Sequence, residues 1–72
     1  MPRLPQLRVR ELIRILNKNG FEIIRIRGSH HSMRHPDGRY TVVPVHTGET
    51  IGPGLLNKIL KDTELSRHDL KK

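Results

Sequence analysis

Glycine and proline cut the middle of this chain into short lengths. Asn19-Gly20, Gly28-Ser29 and Pro36-Asp37-Gly38-Arg39 are turn signals. The segments they bound are Phe21 to Arg27, His30 to His35 and Tyr40 to Val45. None has room for a stable helix. The first and third are rich in β-branched and aromatic residues, so all three read as strands of an antiparallel meander. Pro44 has no N–H to give to a ladder, which puts its strand at a sheet edge. In the first strand, Ile24 and Ile26 should face one side and Arg25 and Arg27 the other.

Helical spacing flanks the meander on both sides. From Arg8 to about Lys18, Val9, Leu12, Ile13 and Leu16 form one apolar stripe. Gly20 suits the left-handed position just past that helix. Arg10, Arg14 and Lys18, four apart, make a second stripe beside the apolar one. It is either a solvated face or a track for phosphate. After a loop from His46 to Gly54, Pro53 suits the first turn of a second helix. Leu55, Leu56, Ile59 and Leu60 carry that helix to about Lys61. Residues 1–6 read as an extended lead-in and residues 67–72 as a fraying tail. Leu65 to Leu70 could form a terminal turn, with Ser66 and Asp69 at capping-box spacing. The 72 residues make one domain of class α+β and order α-β-β-β-α. Two helices with one apolar stripe each, and a sheet with one apolar face, pack with both helices on the same side. The order is that of a double-stranded RNA-binding domain.

Charge narrows the choice of partner. Lys and Arg number 14 against 7 Asp and Glu, a net charge of +7. That excess favours a polyanion, bound through counterion release from its phosphates. A membrane surface is the competing anion, but an interfacial helix would carry more bulky aromatic residues. Phe21 and Tyr40 are the only aromatics, which argues against a sheet that stacks bases. The expected contacts are to phosphate and sugar. The chain has no cysteine, no run long enough to span a bilayer and no signal-peptide core. A small soluble cytoplasmic protein is expected.

The chemistry concentrates in Arg25-Ile26-Arg27-Gly28-Ser29-His30-His31. Histidine takes and gives a proton near neutral pH. The N–H groups of Gly28 and Ser29 could cradle a phosphate, and Arg25 or Arg27 could hold its charge. Base, cation and turn are the parts that metal-free cleavage of RNA needs. The same residues also fit a plain hairpin turn with two surface histidines, and residue types alone favour that reading. A metal site is poorly supplied. His30 and His31 point to opposite faces of a regular strand, and His31 and His35 lie roughly 13 Å apart at 3.3 Å per residue. A site from His31, His46 and a carboxylate is a remote alternative, and no carboxylate lies between Glu22 and Asp37 for magnesium. No metal or other cofactor is expected.

Several pieces together resemble the HicA toxin family. They are Asn19-Gly20-Phe21, Arg27-Gly28-Ser29-His30-His31, His35-Pro36-Asp37-Gly38-Arg39, Val43-Pro44-Val45-His46, and Gly54 followed by Leu56, Ile59 and Leu60. The similarity runs from about Leu4 to Ser66. It implies a fold like a double-stranded RNA-binding domain and the activity of an mRNA interferase, the toxin half of a toxin–antitoxin pair. It further implies neutralisation by an acidic antitoxin of the HicB type encoded alongside. The family's catalytic histidine is the first after Gly-Ser, which corresponds to His30, with Gly28 and Ser29 in support. Two departures stand out. Family members often have a small polar residue where the first helix begins, and here the chain reads Leu7-Arg8-Val9. They often have a glycine near the end of the second helix, where this chain has Thr63-Glu64.

The leading expectation is thus a metal-independent endoribonuclease toxin with His30 as general acid or base. RNA would be held by Arg25, Arg27, Arg34 and Arg39 on and beside the strands, and by Arg10, Arg14 and Lys18 on the helix. The alternative is a non-catalytic RNA-binding module of the same fold. A DNA-binding regulator is disfavoured, since no helix-turn-helix pair is visible. His31 is expected on the opposite face, beneath the helices.

Overall fold

A computed structural model of the protein describes residues 7–45 and 50–70. The elements run α1 (Val9–Lys18), β1 (Glu22–Arg27), β2 (His30–Arg34), β3 (Tyr40–Pro44), α2 (Pro53–Thr63) and a 3₁₀ helix (Arg67–Leu70). The strands form one antiparallel sheet in the order β1-β2-β3, so both β1 and β3 are edges. The α+β class and the α-β-β-β-α order are as the turn signals and helical spacing predict. No described helix is long and apolar enough to cross a membrane. The lead-in at residues 1–6 and the loop residue His46 lie outside the described residues.

Both ends of α1 are closed by local chemistry. Its cap residue, Arg8, supplies no side-chain oxygen, but the Glu11 carboxylate accepts the Arg8 N–H at 3.1 Å. That satisfies one amide before the helix and sets a negative charge in its positive first turn. At the other end the Phe21 N–H reaches the Leu16 carbonyl (2.9 Å) and the Gly20 N–H reaches Asn17 (3.1 Å). Those two bonds make a Schellman motif, with Gly20 at φ +93° in the position beyond the cap. Phe21 then packs against Leu16, and both are fully buried. The apolar stripe of α1 differs from the expected one. Val9, Leu12, Ile15 and Leu16 are buried, and Ile13 only flanks the core.

The core lies between one sheet face and the two helices. Met33 of β2, with Thr41 and Val43 of β3, meets Leu12 and Leu16 of α1 and Leu56 and Ile59 of α2. Both helices pack against β3, so β1 stands clear of the helix layer. The 3₁₀ helix also belongs to the core. The Asp69 carboxylate accepts the Ser66 N–H (2.8 Å) and hydroxyl (3.0 Å), and Leu70 is buried against the rest. The expected terminal turn with its Ser66–Asp69 pair therefore forms, and residues 67–70 are not frayed; residues 71–72 lie outside the described residues. Leu70 gives the turn apolar surface to bury.

α2 runs two residues further than its apolar spacing predicts, to Thr63, whose hydroxyl donates to the Ile59 carbonyl at 2.7 Å. Glu64 then stops the helix at φ +59°, a left-handed conformation that costs a side chain about 1 kcal/mol or more. Replacing Glu64 by Gly should relieve that strain, less what glycine costs in chain entropy. The expected gain is about 1 kcal/mol, read as a raised Tm in thermal unfolding followed by circular dichroism. A lowered Tm would mean that the Glu64 side chain is itself holding the end of α2.

Candidate functional site

Register decides which residues share a surface. His30 pairs with Arg27 on β1 and Pro44 on β3, Ser32 with Arg25 and Val42, and Arg34 with Glu22 and Tyr40. These three rows make up the open face, away from the helices. The alternate rows contain His31 with Ile26 and Val43, and Met33 with Ile23 and Thr41, and they face the helices. The expected separation of the two histidines is what the strand produces. His30 is exposed. His31 is half-buried, and its Nδ1 is buried with no hydrogen-bond partner among the described residues.

The phase of β1 is more complicated than simple alternation. Its pairing slips between Ile23 and Arg25, so Ile24 is an extra residue in a bulge. A bulge inverts the alternation beyond it. The isoleucines on the helix side are consequently Ile23 and Ile26, where even alternation would pair Ile24 with Ile26. Arg25 and Arg27 still share the open face with His30. Because the helices lie over β3, all three isoleucines remain exposed, at 40%, 54% and 59%.

The β1–β2 connection is a two-residue hairpin, since Arg27 and His30 are partners. Gly28 has φ +59° and Ser29 does not have positive φ, the sign pattern of a type II′ turn. That turn requires glycine first, because a side chain there is strained. The space around Gly28 is open, so conformation alone dictates its identity. The Ser29 carbonyl accepts the Val45 N–H at 2.6 Å, which ties the turn to the end of β3. His30 therefore projects from a turn fixed on both sides, with the Arg27 side chain next to it about 5 Å away at Cβ.

The predicted cations divide into three groups. Arg25, Arg27 and Arg34 are exposed on the open face with His30. Arg10, Arg14 and Lys18 are exposed on α1, in the layer on the other side of the sheet. Arg39 is occupied internally. Its Nε binds the Asp37 carboxylate (2.9 Å), its Nη1 donates to the Thr63 carbonyl, and its guanidinium lies 5.2 Å from the Phe21 ring centre. The Arg39 amide, donating to Asp37 Oδ1, is the main cause holding that carboxyl below its usual range. Burial opposes the shift, and the Arg39 and His35 side chains add to it. His35 completes this turn. Its ring meets Phe21 edge-on at 5.2 Å, and its Nδ1 lies 3.1 Å from the Asp37 amide nitrogen.

Two polar residues of the open face escape a reading by motif, Ser32 and Tyr40. The Tyr40 hydroxyl donates to Ser32 Oγ at 3.0 Å. Ser32 could have been found by counting two from His30. Tyr40 could not, because its row depends on where β3 starts after the Pro36–Arg39 turn. Among the described residues, no group of three His, Asp or Glu side chains is gathered as a metal site would need.

The family model described as HicA toxin of bacterial toxin–antitoxin matches residues 9–65. No curated protein matches the chain.

Proposed function

This chain belongs to the HicA toxin family of bacterial toxin–antitoxin systems, and from that premise we propose that it is a metal-independent endoribonuclease acting on mRNA through His30. The observation that carries this reading is the exposed imidazole on a glycine-fixed turn, in one row with Arg27 and next to the row of Arg25. On this reading His30 takes the proton of the ribose 2′-hydroxyl. The 2′-oxygen then attacks phosphorus, the P–O5′ bond breaks, and the 5′-oxygen leaves with a proton taken from solvent water, to which His30 returns the proton it took. Arg27, and the N–H groups of Gly28 and Ser29, stabilise charge on the non-bridging oxygens. The products are a 2′,3′-cyclic phosphate and a 5′-hydroxyl end.

The test is cleavage of a single-stranded RNA in EDTA. Cleavage should persist there and should stop when the nucleotide 5′ to the cut lacks its 2′-hydroxyl. The acidic antitoxin of the pair, of the HicB type, should suppress cleavage in the same assay by competing with RNA for the open face. Strict dependence on magnesium, or cutting of the 2′-deoxy substrate, would overturn the mechanism. Binding without turnover under every condition would favour the non-catalytic module.

The division of the cations gives a second expectation. Neutralising Arg25, Arg27 and Arg34 together should flatten the salt dependence of RNA binding, by roughly 0.7 in log–log slope for each phosphate left without its cation. Neutralising Arg10, Arg14 and Lys18, in the opposite layer from His30, should leave the slope nearly unchanged. The reverse pattern would move the RNA track onto α1.

A further inference from the structure

We propose that Tyr40 and Ser32 form a nucleobase subsite beside the scissile position, in which the Tyr40 ring stacks on a base of single-stranded RNA and the Ser32 hydroxyl hydrogen-bonds to it. The proposal rests on the nuclease reading and adds a specificity site to it. Sparse aromatics argue against base stacking only as a count. What matters for stacking is where an aromatic stands, and the two here stand very differently. Phe21 is fully buried, whereas Tyr40 is 47% exposed. It lies on the open face, directly across from Arg34.

The ring is also held. Its hydroxyl reaches out of its own row to Ser32 Oγ, so the side chain leans along the sheet toward the His30 end. Fixing an aromatic before a ligand arrives lowers the ordering cost of binding. A serine hydroxyl can make more than one hydrogen bond, so Ser32 Oγ retains capacity for a base beside its bond to Tyr40. Ser32 is two residues from His30 on one strand, roughly 7 Å away. That is within reach of a nucleotide whose neighbouring phosphate lies at His30. Arg34, directly across from Tyr40 on β2, and Arg25, across from Ser32 on β1, supply cations on the side of the ring toward β1. An exposed ring beside a cationic surface is how proteins bind single strands, since every base offers a π-face. A duplex would keep its bases stacked away from such a ring, so the substrate here is single-stranded.

The experiment uses the His30→Ala protein, in which cleavage should be slow enough to leave RNA intact during a binding measurement, and single-stranded RNA oligomers carrying one 2-aminopurine at successive positions. Stacking on a tyrosine should quench the probe at one position. Adding Tyr40→Ala or Tyr40→Leu should abolish the quenching and weaken binding roughly 5- to 150-fold, the usual worth of one base–aromatic stack. Tyr40→Phe should retain the quenching, and Ser32→Ala should weaken binding less than Tyr40→Ala. Unchanged affinity and quenching in the folded Tyr40→Ala and Tyr40→Leu proteins would overturn the subsite while leaving the nuclease reading intact. No RNA binding by His30→Ala protein with native circular dichroism would overturn that reading, and the subsite with it. Loss of antitoxin affinity alone on Tyr40→Ala would assign the ring to a protein interface and overturn the proposal.

Discussion

Replacing His30 by Ala should abolish growth arrest on induction and lower RNA cleavage by about 10²- to 10⁴-fold, the usual worth of a general acid or base. The reason to expect an effect on chemistry alone is the position of the side chain. His30 is exposed on the open face and lies outside the core. Its loss should leave circular dichroism and Tm essentially unchanged, and RNA affinity should fall little because the arginines remain. His31→Ala should behave in the opposite sense, since His31 lies beneath the sheet in a row with Val43. Toxicity that persists in a folded His30→Ala protein would remove His30 from the chemistry.

The largest expected effect on stability is at Gly20. Two independent constraints meet there. Its φ of +93° is strained for any side chain, and an added Cβ would sit 2.7 Å from His35 Nε2. The His35 ring has little freedom to withdraw, being in edge contact with Phe21 and bound through Nδ1 to the Asp37 turn. Gly20→Ala should therefore cost about 2–4 kcal/mol, with a fall in Tm of roughly 10–20 °C for a domain this small. Adding His35→Ala makes room for the methyl group, so the pair should cost less than the sum of the two single changes. Additive losses would mean that backbone strain alone is responsible. A Tm within a few degrees of the parent would mean that the close approach of Gly20 to His35 does not exist in solution.

Most of the architecture could be read in advance because turn chemistry is local. Asn19-Gly20, Gly28-Ser29 and Pro36-Asp37-Gly38 each dictate a reversal without help from distant residues, and the order of elements follows. Whatever depended on tertiary contact was not legible. The bulge at Ile24 answers to pairing with β2 and leaves no mark in a run of alternating residues. The docking of the 3₁₀ helix through Leu70 depends on the exposed end of the core, which the sequence does not outline. Arg39 reads as one more surface cation until its neighbours Phe21, Asp37 and Thr63 are known. At the site, the opposition of His30 and His31 follows from strand geometry alone. The presence of Tyr40 on the same face required the register across a turn.

Beside the RNA contact proposed for them, Arg25 and Arg27 on the uncovered β1 strand act as guardians of solubility. A strand with exposed isoleucines and, among the described residues, one unpaired edge is a template for aggregation. Were two copies to join β1 to β1, the arginines of each would share one surface and repel. Positive charge thus acts as a gatekeeper on the strand that most needs one. The two duties cannot be separated by mutation. Neutralising these arginines to test the proposed RNA contact also removes what keeps free copies apart, and concentrated salt should do the same to the unaltered protein by screening. A protein without these arginines should precipitate already at low ionic strength, where the unaltered protein stays dissolved, and the difference should vanish in concentrated salt.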